Sequence, residues 1–354
     1  MMVFLMDQNF NRTKAFSDWR SFIWTDRFSD HGDFVLTLPY TKEYATILPG
    51  AYVEMTESSS VMLLESVQVK KDKEDSYVKL SGRSADVLLK YVVFATGVDR
   101  TFVGSHEGVA ITLGQRARDY DTYKMTFGRD YDAWIFYFIV GSQTTTQISY
   151  TIDSSDLMAQ IKKLLDVYGS GWSITKHPAE KGKFNFRADT TRKNDKVVLA
   201  TGADDFESFN IVRSISNYVN TAIVRYETMV GDKKVGQYTA VRSLQKGTYN
   251  TLPSEVANRS KYIDVKDEFI DYADQYRVAS IQSRARTEIA DMRYENAFDG
   301  KINPKMRYKY LKDYRLGDIV SIVTDTGSYD AAITEYIWSS DESGVTEYPT
   351  LSFM

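Results

Sequence analysis

Apolar and polar positions alternate with a period of two along much of this chain, and that period predicts strands with one buried face. Over residues 32–39 the alternation puts Phe34, Leu36 and Leu38 on one side, and Pro39 ends the ladder because it has no amide donor. Phe22 and Trp24 alternate in the same way just upstream, next to Trp19. Residues 216–226 are β-branched and aromatic and run toward Met229, Val230, Gly231 and Asp232, a hairpin signal. Residues 172–174 and 183–186 predict a further strand pair. The longest apolar run, residues 133–140, is far shorter than the roughly 20 residues of a membrane helix and predicts a buried strand.

Helical spacing is confined to a few places. Leu157, Ile161, Leu164, Leu165 and Tyr168 share one helical face, with Ser154 or Ser155 as cap, Asp156 in the positive first turn and Gly169 as the stop. A short helix capped by Ser84 is expected over residues 84–89. No Gly or Pro interrupts the chain between Pro253 and Gly300. Within that stretch Val265, Phe269, Tyr272 and Tyr276 follow helical spacing, Asp264 can cap, and Asp267 and Glu268 occupy the first turn.

One motif occurs twice, near the two ends of the chain. Residues 48–55 hold a glycine turn at Gly50 and a strand, residues 63–69 a return strand with Glu65, residues 70–75 a charged turn, and residues 77–81 a last strand. The same order recurs with Gly317 in residues 316–323, Glu335 in residues 333–337, a polar turn at 339–344 and a strand at 348–353. A repeat of this kind governs architecture. The fold class expected is mainly β with α+β insertions. Two copies so far apart suggest two related barrels or sandwiches: the first β-barrel or sandwich takes residues 1–92, an inserted α+β domain 93–205, the discontinuous second one 206–250 and 305–354, and a helical insertion 251–304.

With 354 residues and 43% hydrophobic content the chain has room for two to four domains, each with its own core. Zero cysteines exclude a disulfide framework, a thiol nucleophile and thiolate zinc sites. The first ten residues lack a basic n-region and a small-residue cleavage site, so synthesis in the cytoplasm without a signal peptide is expected. A net charge of -4 argues against a surface built to wrap duplex DNA. The 25 tyrosines fit a β-rich protein with large side chains at interfaces.

No catalytic, cofactor or metal residue emerges. His31, His106 and His177 are isolated in sequence, with no HxxxH spacing, and His31 belongs to the turn before Gly32. Tyr168-Gly169-Ser170-Gly171 follows a helix and lacks the Lys-Ser/Thr of a phosphate loop, so it reads as a helix stop. Asp204, Asp205 and Glu207 cluster, and paired carboxylates can hydrolyse glycosides at the right separation. An exposed acidic turn is the simpler reading. The recurrence of Glu65 and Glu335 in both copies favours a structural place on a strand.

The residues from Trp19 through Pro39, Leu48-Pro49-Gly50-Ala51-Tyr52-Val53-Glu54, Leu64-Glu65-Ser66-Val67, Asn217-Tyr218-Val219-Asn220 and Leu316-Gly317-Asp318-Ile319-Val320 resemble, in that order, the baseplate hub or tail-associated proteins of long-tailed bacteriophages. The resemblance runs over nearly the whole chain. It implies two barrels like tail-tube subunits, so that a homotrimer offers six quasi-equivalent barrels to a hexameric tube and threefold symmetry to distal parts. It also implies a place at the virion tail tip, in an infectious phage or a phage-derived bacteriocin. Implied partners are the distal tail protein and tail-tube ring, the tape-measure protein, and a distal spike, fibre or receptor-binding protein. DNA would pass through the lumen without sequence-specific binding, and no membrane insertion is expected. The chain stops soon after the second copy, so no lytic domain is expected. The rival readings are a carbohydrate-binding module using aromatics such as Trp134 or Trp172, and a tail-tip wall hydrolase using Asp204 or Asp205.

Overall fold

The computed structural model describes residues 1–92, 101–119, 135–145, 147–152, 156–242, 258–289, 292, 295–303, 305–342 and 344–353. The first strands are β1 (Val3–Met6), β2 (Arg12–Phe16), β3 (Ser21–Arg27), β4 (Asp33–Pro39), β5 (Tyr52–Met55), β6 (Val61–Lys70) and β7 (Tyr77–Ser84). They run antiparallel in the order β3-β4-β7-β6-β5-β1-β2. The period-two pattern is met directly: Phe34, Leu36 and Leu38 are buried in β4, as are Phe22 and Trp24 in β3. A 3-10 turn follows at Ala85–Tyr91. Ser84 precedes it but does not cap it; its hydroxyl accepts from the Gly32 amide at 2.9 Å and donates to Asp86.

The inserted domain contains β8 (Thr101–Ser105), α1 (His106–Asp119), β9 (Phe136–Val140), β10 (Gln147–Thr151), α2 (Leu157–Val167), β11 (Ser170–Lys176) and β12 (Phe184–Thr190). β12 pairs antiparallel with β11 and parallel with β9. Leu157, Ile161, Leu164 and Leu165 of α2 are buried, and Gly169 ends the helix region in left-handed backbone with φ 64°. Asp156 is the cap itself, accepting from the Ala159 amide at 2.9 Å. Ser154 and Ser155, the caps expected, lie outside the described residues, as does Trp134.

The domain divisions expected after this point need correction. β13 (Arg192–Ala200) lies inside the stretch assigned to the insert but belongs to the main sheet. β14 (Phe206–Ser214) is followed by β15 (Thr221–Val230) and β16 (Lys233–Arg242), joined through Gly231 as the hairpin signal required, and by β17 (Ser260–Lys266). These last three strands form a separate sheet in the order β16-β15-β17. Residues 260–266 are therefore a strand where helical spacing was expected. Ile263 and Val265 alternate inward while β15 supplies the ladder, and Asp264 pairs with Arg225 rather than capping a helix. The helix, α3 (Asp274–Glu288), starts later, and Phe269 still reaches the small core made by Ala222, Val224, Ile281 and Ala285.

β18 (Glu295–Ile302) then pairs with β14, Ser214 opposite Glu295, so the β15-β16-β17-α3 module is inserted in a hairpin. The chain ends with β19 (Asp318–Thr324), β20 (Gly327–Asp341) and β21 (Gly344–Phe353). The protein is mainly β. Its main sheet has eleven strands, β13-β19-β20-β3-β4-β7-β6-β5-β1-β2 with β21 also on β20, and this order is open. Among the described residues the ladders do not close into the two barrels expected; both copies of the motif lie in one sheet.

Candidate assembly surface

Each copy of the motif is a three-stranded meander, β5-β6-β7 and β19-β20-β21. Gly50 and Gly317 open the two meanders with φ of 99° and 81°. A bulge lies opposite the glycine in each: the register of β6 on β7 shifts between Leu64 and Ser66, and that of β20 on β21 between Ile333 and Glu335. The extra residues are Glu65 and Thr334. Glu65 is therefore equivalent to Thr334, one residue short of Glu335, because the bulge fixes the register more tightly than residue type does. The equivalence extends further. β3 pairs with β4 and β4 with β7, while β14 pairs with β18 and β18 packs beside β21. A similar set of five strands thus occurs twice, with β14 and β18 in the places of β3 and β4, although these two form their own two-stranded sheet beside β21.

The two units meet along one seam. On one edge β20 pairs with β19 through residues 327–332, and beyond the bulge the same edge pairs with β3 through residues 335–340. Trp338 faces Trp24 across this seam and both are buried. Arg27 of β3 donates to Glu335 at 2.6 Å and also holds Asp33 of β4. Burial of the Arg27 guanidinium opposes its charge, but these two carboxylates outweigh it and raise its pKa. On the face turned away from the core, one row runs through Thr346, Ser339, Ile23, Val35, Ser81 and Ser66, crossing both units without a charge. Of the charges flanking the row, Lys79 has no ion pair among the described residues, whereas Arg83 holds Glu65 with two hydrogen bonds of 2.7 and 2.8 Å, which keeps that carboxyl below its usual range.

Several of the residues singled out for chemistry have structural partners. His31 Nδ1 lies 2.9 Å from Asp86, whose carboxylate also accepts from Trp172 at 2.6 Å and ties the insert to the first unit. His106, buried, meets Ser170 at 2.9 Å and Glu107 at 2.8 Å and stacks on Tyr168. This set has the composition of an acyl-transfer triad, but Ser170 and Glu107 are buried with it and the Ser170 hydroxyl also bonds Glu107 at 3.0 Å. His177 accepts the Glu180 amide at 3.0 Å in an exposed turn. The histidines are isolated in sequence but not in space, since each finds partners from distant or adjacent turns.

Asp204 is exposed in left-handed backbone, whereas Asp205 is buried and accepts the Ala200 amide at 3.0 Å, so the expected acidic turn is half structural. Trp172 is buried and offers no sugar platform. A pocket of about 420 Å³ lies where the first unit, the insert and residues 310–317 meet, with Asp26 and Asp86 in its wall. Both carboxylates already hold structural donors: Asp26 accepts from Trp24 at 2.9 Å and Ser58 at 2.6 Å. Burial raises the Asp26 carboxyl despite these bonds. Burial would raise Glu54 too, but Lys176 and Arg12 hold it low, and its bond to Lys176 is a second tie between first unit and insert. Among the described residues no cluster of three His, Asp or Glu could hold a metal ion, and no helix is long and apolar enough to cross a membrane.

Tail proteins of bacteriophages share this arrangement of strands and inserts. The 43 kDa tail protein of prophage MuSo2 from Shewanella oneidensis superposes with a TM-score of 0.61 and 13% identity over 100% of this chain and 98% of that one. The tail protein from Neisseria meningitidis MC58 gives 0.60 and 12% over 99% and 95%. Prophage tail protein gp18 from Listeria monocytogenes EGD-e gives 0.57 and 12% over 99% and 94%. At such identities these similarities establish the fold alone. No protein of curated function matches the sequence. The Siphovirus ReqiPepy6 Gp37-like protein family matches residues 1–103 and 138–350, and the chain belongs to that family.

Proposed function

We propose that this protein is the hub of a phage tail tip, a homotrimer whose six five-stranded units adapt a hexameric tail tube to threefold distal parts. The observation that carries this reading is the duplication itself. Two similar units joined along the β3–β20 seam let three chains present six similar surfaces, whereas a single-unit chain would need six copies. The uncharged row through Ser339, Ile23, Val35 and Ser81 supports a second element of the reading, a channel wall along which DNA slides. Phosphates are held by Lys and Arg, and the arginines beside this row are already paired with carboxylates. The partners in this reading are tail proteins: the distal tail protein and tube ring above, the tape-measure protein, and a spike or fibre below. It has no catalytic role.

Electron microscopy of the purified chain mixed with its distal tail protein tests this reading. The expected result is closed rings with a central hole and threefold symmetry. Monomers that join no ring would overturn it.

A further inference from the structure

The two units are equivalent, but only one of them has its outer edge covered. On β20 the edge beyond the bulge, residues 335–340, is filled by β3. On β6 the equivalent edge is residues 66–70, which pair with β7 on one side and, among the described residues, with no strand on the other. Conversely β3 has a neighbour on both edges, β4 and β20, whereas among the described residues its equivalent β14 pairs with β18 alone. The chain therefore carries one internal copy of a strand pairing and one unfilled half of it at each end.

We infer that β14 of one chain adds antiparallel to residues 66–70 of β6 in a second copy of this chain, as β3 adds to β20 within one chain. The inference rests on the hub reading and names the surface that would close its ring.

Three observations support it. Counting from the bulge, Val69 is the equivalent of Trp338. Trp338 is 2% exposed under β3, while Val69 is 45% exposed, and Val212 of β14 is 39% exposed. Apolar side chains thus stand open at both halves of the unfilled pairing. Second, natural edges are guarded by charged side chains. The two ends of the main sheet carry several each, Arg12 and Lys14 on β2 and Arg192, Lys193 and Lys196 on β13. Residues 66–70 carry a single charge, Lys70, which is bound to Asp72 and Asp75. On β14 the Arg213 guanidinium lies over the Tyr329 ring and bonds its hydroxyl. Third, β6 and β14 are different surfaces, so the contact is heterologous and propagates until rotation by a third of a turn closes it. Closure would repeat the β3–β20 seam three times within chains and three times between them.

Disulfide trapping tests this without background, because the chain has no cysteine of its own. Gln68→Cys is combined with Asn210→Cys or with Val212→Cys, positions on the two edges, and Gln68→Cys with Thr13→Cys serves as the control. Native mass and non-reducing electrophoresis are read together after mild oxidation. The expected result is a trimer that becomes covalently linked in one of the two β6–β14 pairs and not in the control. Val69→Asp provides the second variant: Val69 is half-exposed in the single chain, so the variant should fold, yet a charge buried at the interface should weaken trimer formation by at least about tenfold. A trimer that stays unlinked in both pairs and tolerates Val69→Asp would overturn this inference while leaving the hub reading intact. A chain that forms no trimer would overturn both.

Discussion

The amides of Gly50 and Gly317 do the same thing in the two units: one donates to the Leu64 carbonyl and the other to the Ile333 carbonyl, each at 2.8 Å. Both glycines sit in left-handed backbone, which an L side chain adopts only at a cost. Their surroundings differ. A Cβ on Gly50 would meet nothing within 4 Å, whereas one on Gly317 would come within 2.4 Å of the Phe28 ring.

Gly50→Ala should therefore cost about 1 kcal/mol, the conformational strain alone, and Gly317→Ala distinctly more, since the ring must also move. Thermal or urea unfolding of the two variants measures the difference. Equal losses would mean that Phe28 yields freely.

The seam depends on Arg27. Removing it leaves Glu335 and Asp33, both partly buried, without their shared cation. Arg27→Ala should destabilise the chain by about 1 to 2 kcal/mol, and a double-mutant cycle with Glu335→Ala should return a coupling of about 1 kcal/mol. A coupling near zero would show that the seam is held by Trp24 and Trp338 alone.

Asp26 gives the chain a pH signature. Burial raises its carboxyl in the fold, so the native state favours the neutral form. Stability contributed by a raised carboxyl is intact below the unfolded value of about 3.9 and is lost as pH climbs through the higher folded value. Asp26→Asn keeps an acceptor for Trp24 and removes the titration. The variant should match the parent near pH 3 and exceed it by on the order of 1 kcal/mol or more at neutral pH. Unfolding midpoints across that range decide it; a variant weaker at neutral pH would contradict the account.

The module between β14 and β18 should be separable. Ser214 and Glu295 face each other at the mouth of the hairpin, and the module has its own core around Ala222, Val224 and Ile281. Replacing residues 215–294 by an Asn-Gly turn should leave cooperative unfolding of the main sheet, followed by circular dichroism. Loss of all cooperativity would mean that α3, which packs on β10, is required for the insert to fold.

Much of this was legible in the chain. Period-two alternation located β3 and β4, the helical face of α2 was visible in Leu157, Ile161 and Leu164, and the repeated glycine turns announced the duplication. What stayed hidden depended on neighbours. Val265 and Phe269 fit helical spacing yet pack into one core from a strand and a turn, because β15 provides a ladder that the segment alone cannot reveal. The fusion of the two units was equally invisible, since the pairing of Trp24 with Trp338 joins residues from opposite ends of the sequence. The partners of His31 and His106 were out of reach for the same reason. The acid assigned to both copies illustrates how a one-residue bulge shifts an equivalence that residue type suggests, here from Glu335 to Thr334.

The most direct measurement of the central claim is the native mass of the purified chain by light scattering, alone and with its distal tail partner. The account predicts a species of three times the 40.5 kDa chain. A monomer that persists at high concentration and stays monomeric beside a ring-forming tail protein would contradict it.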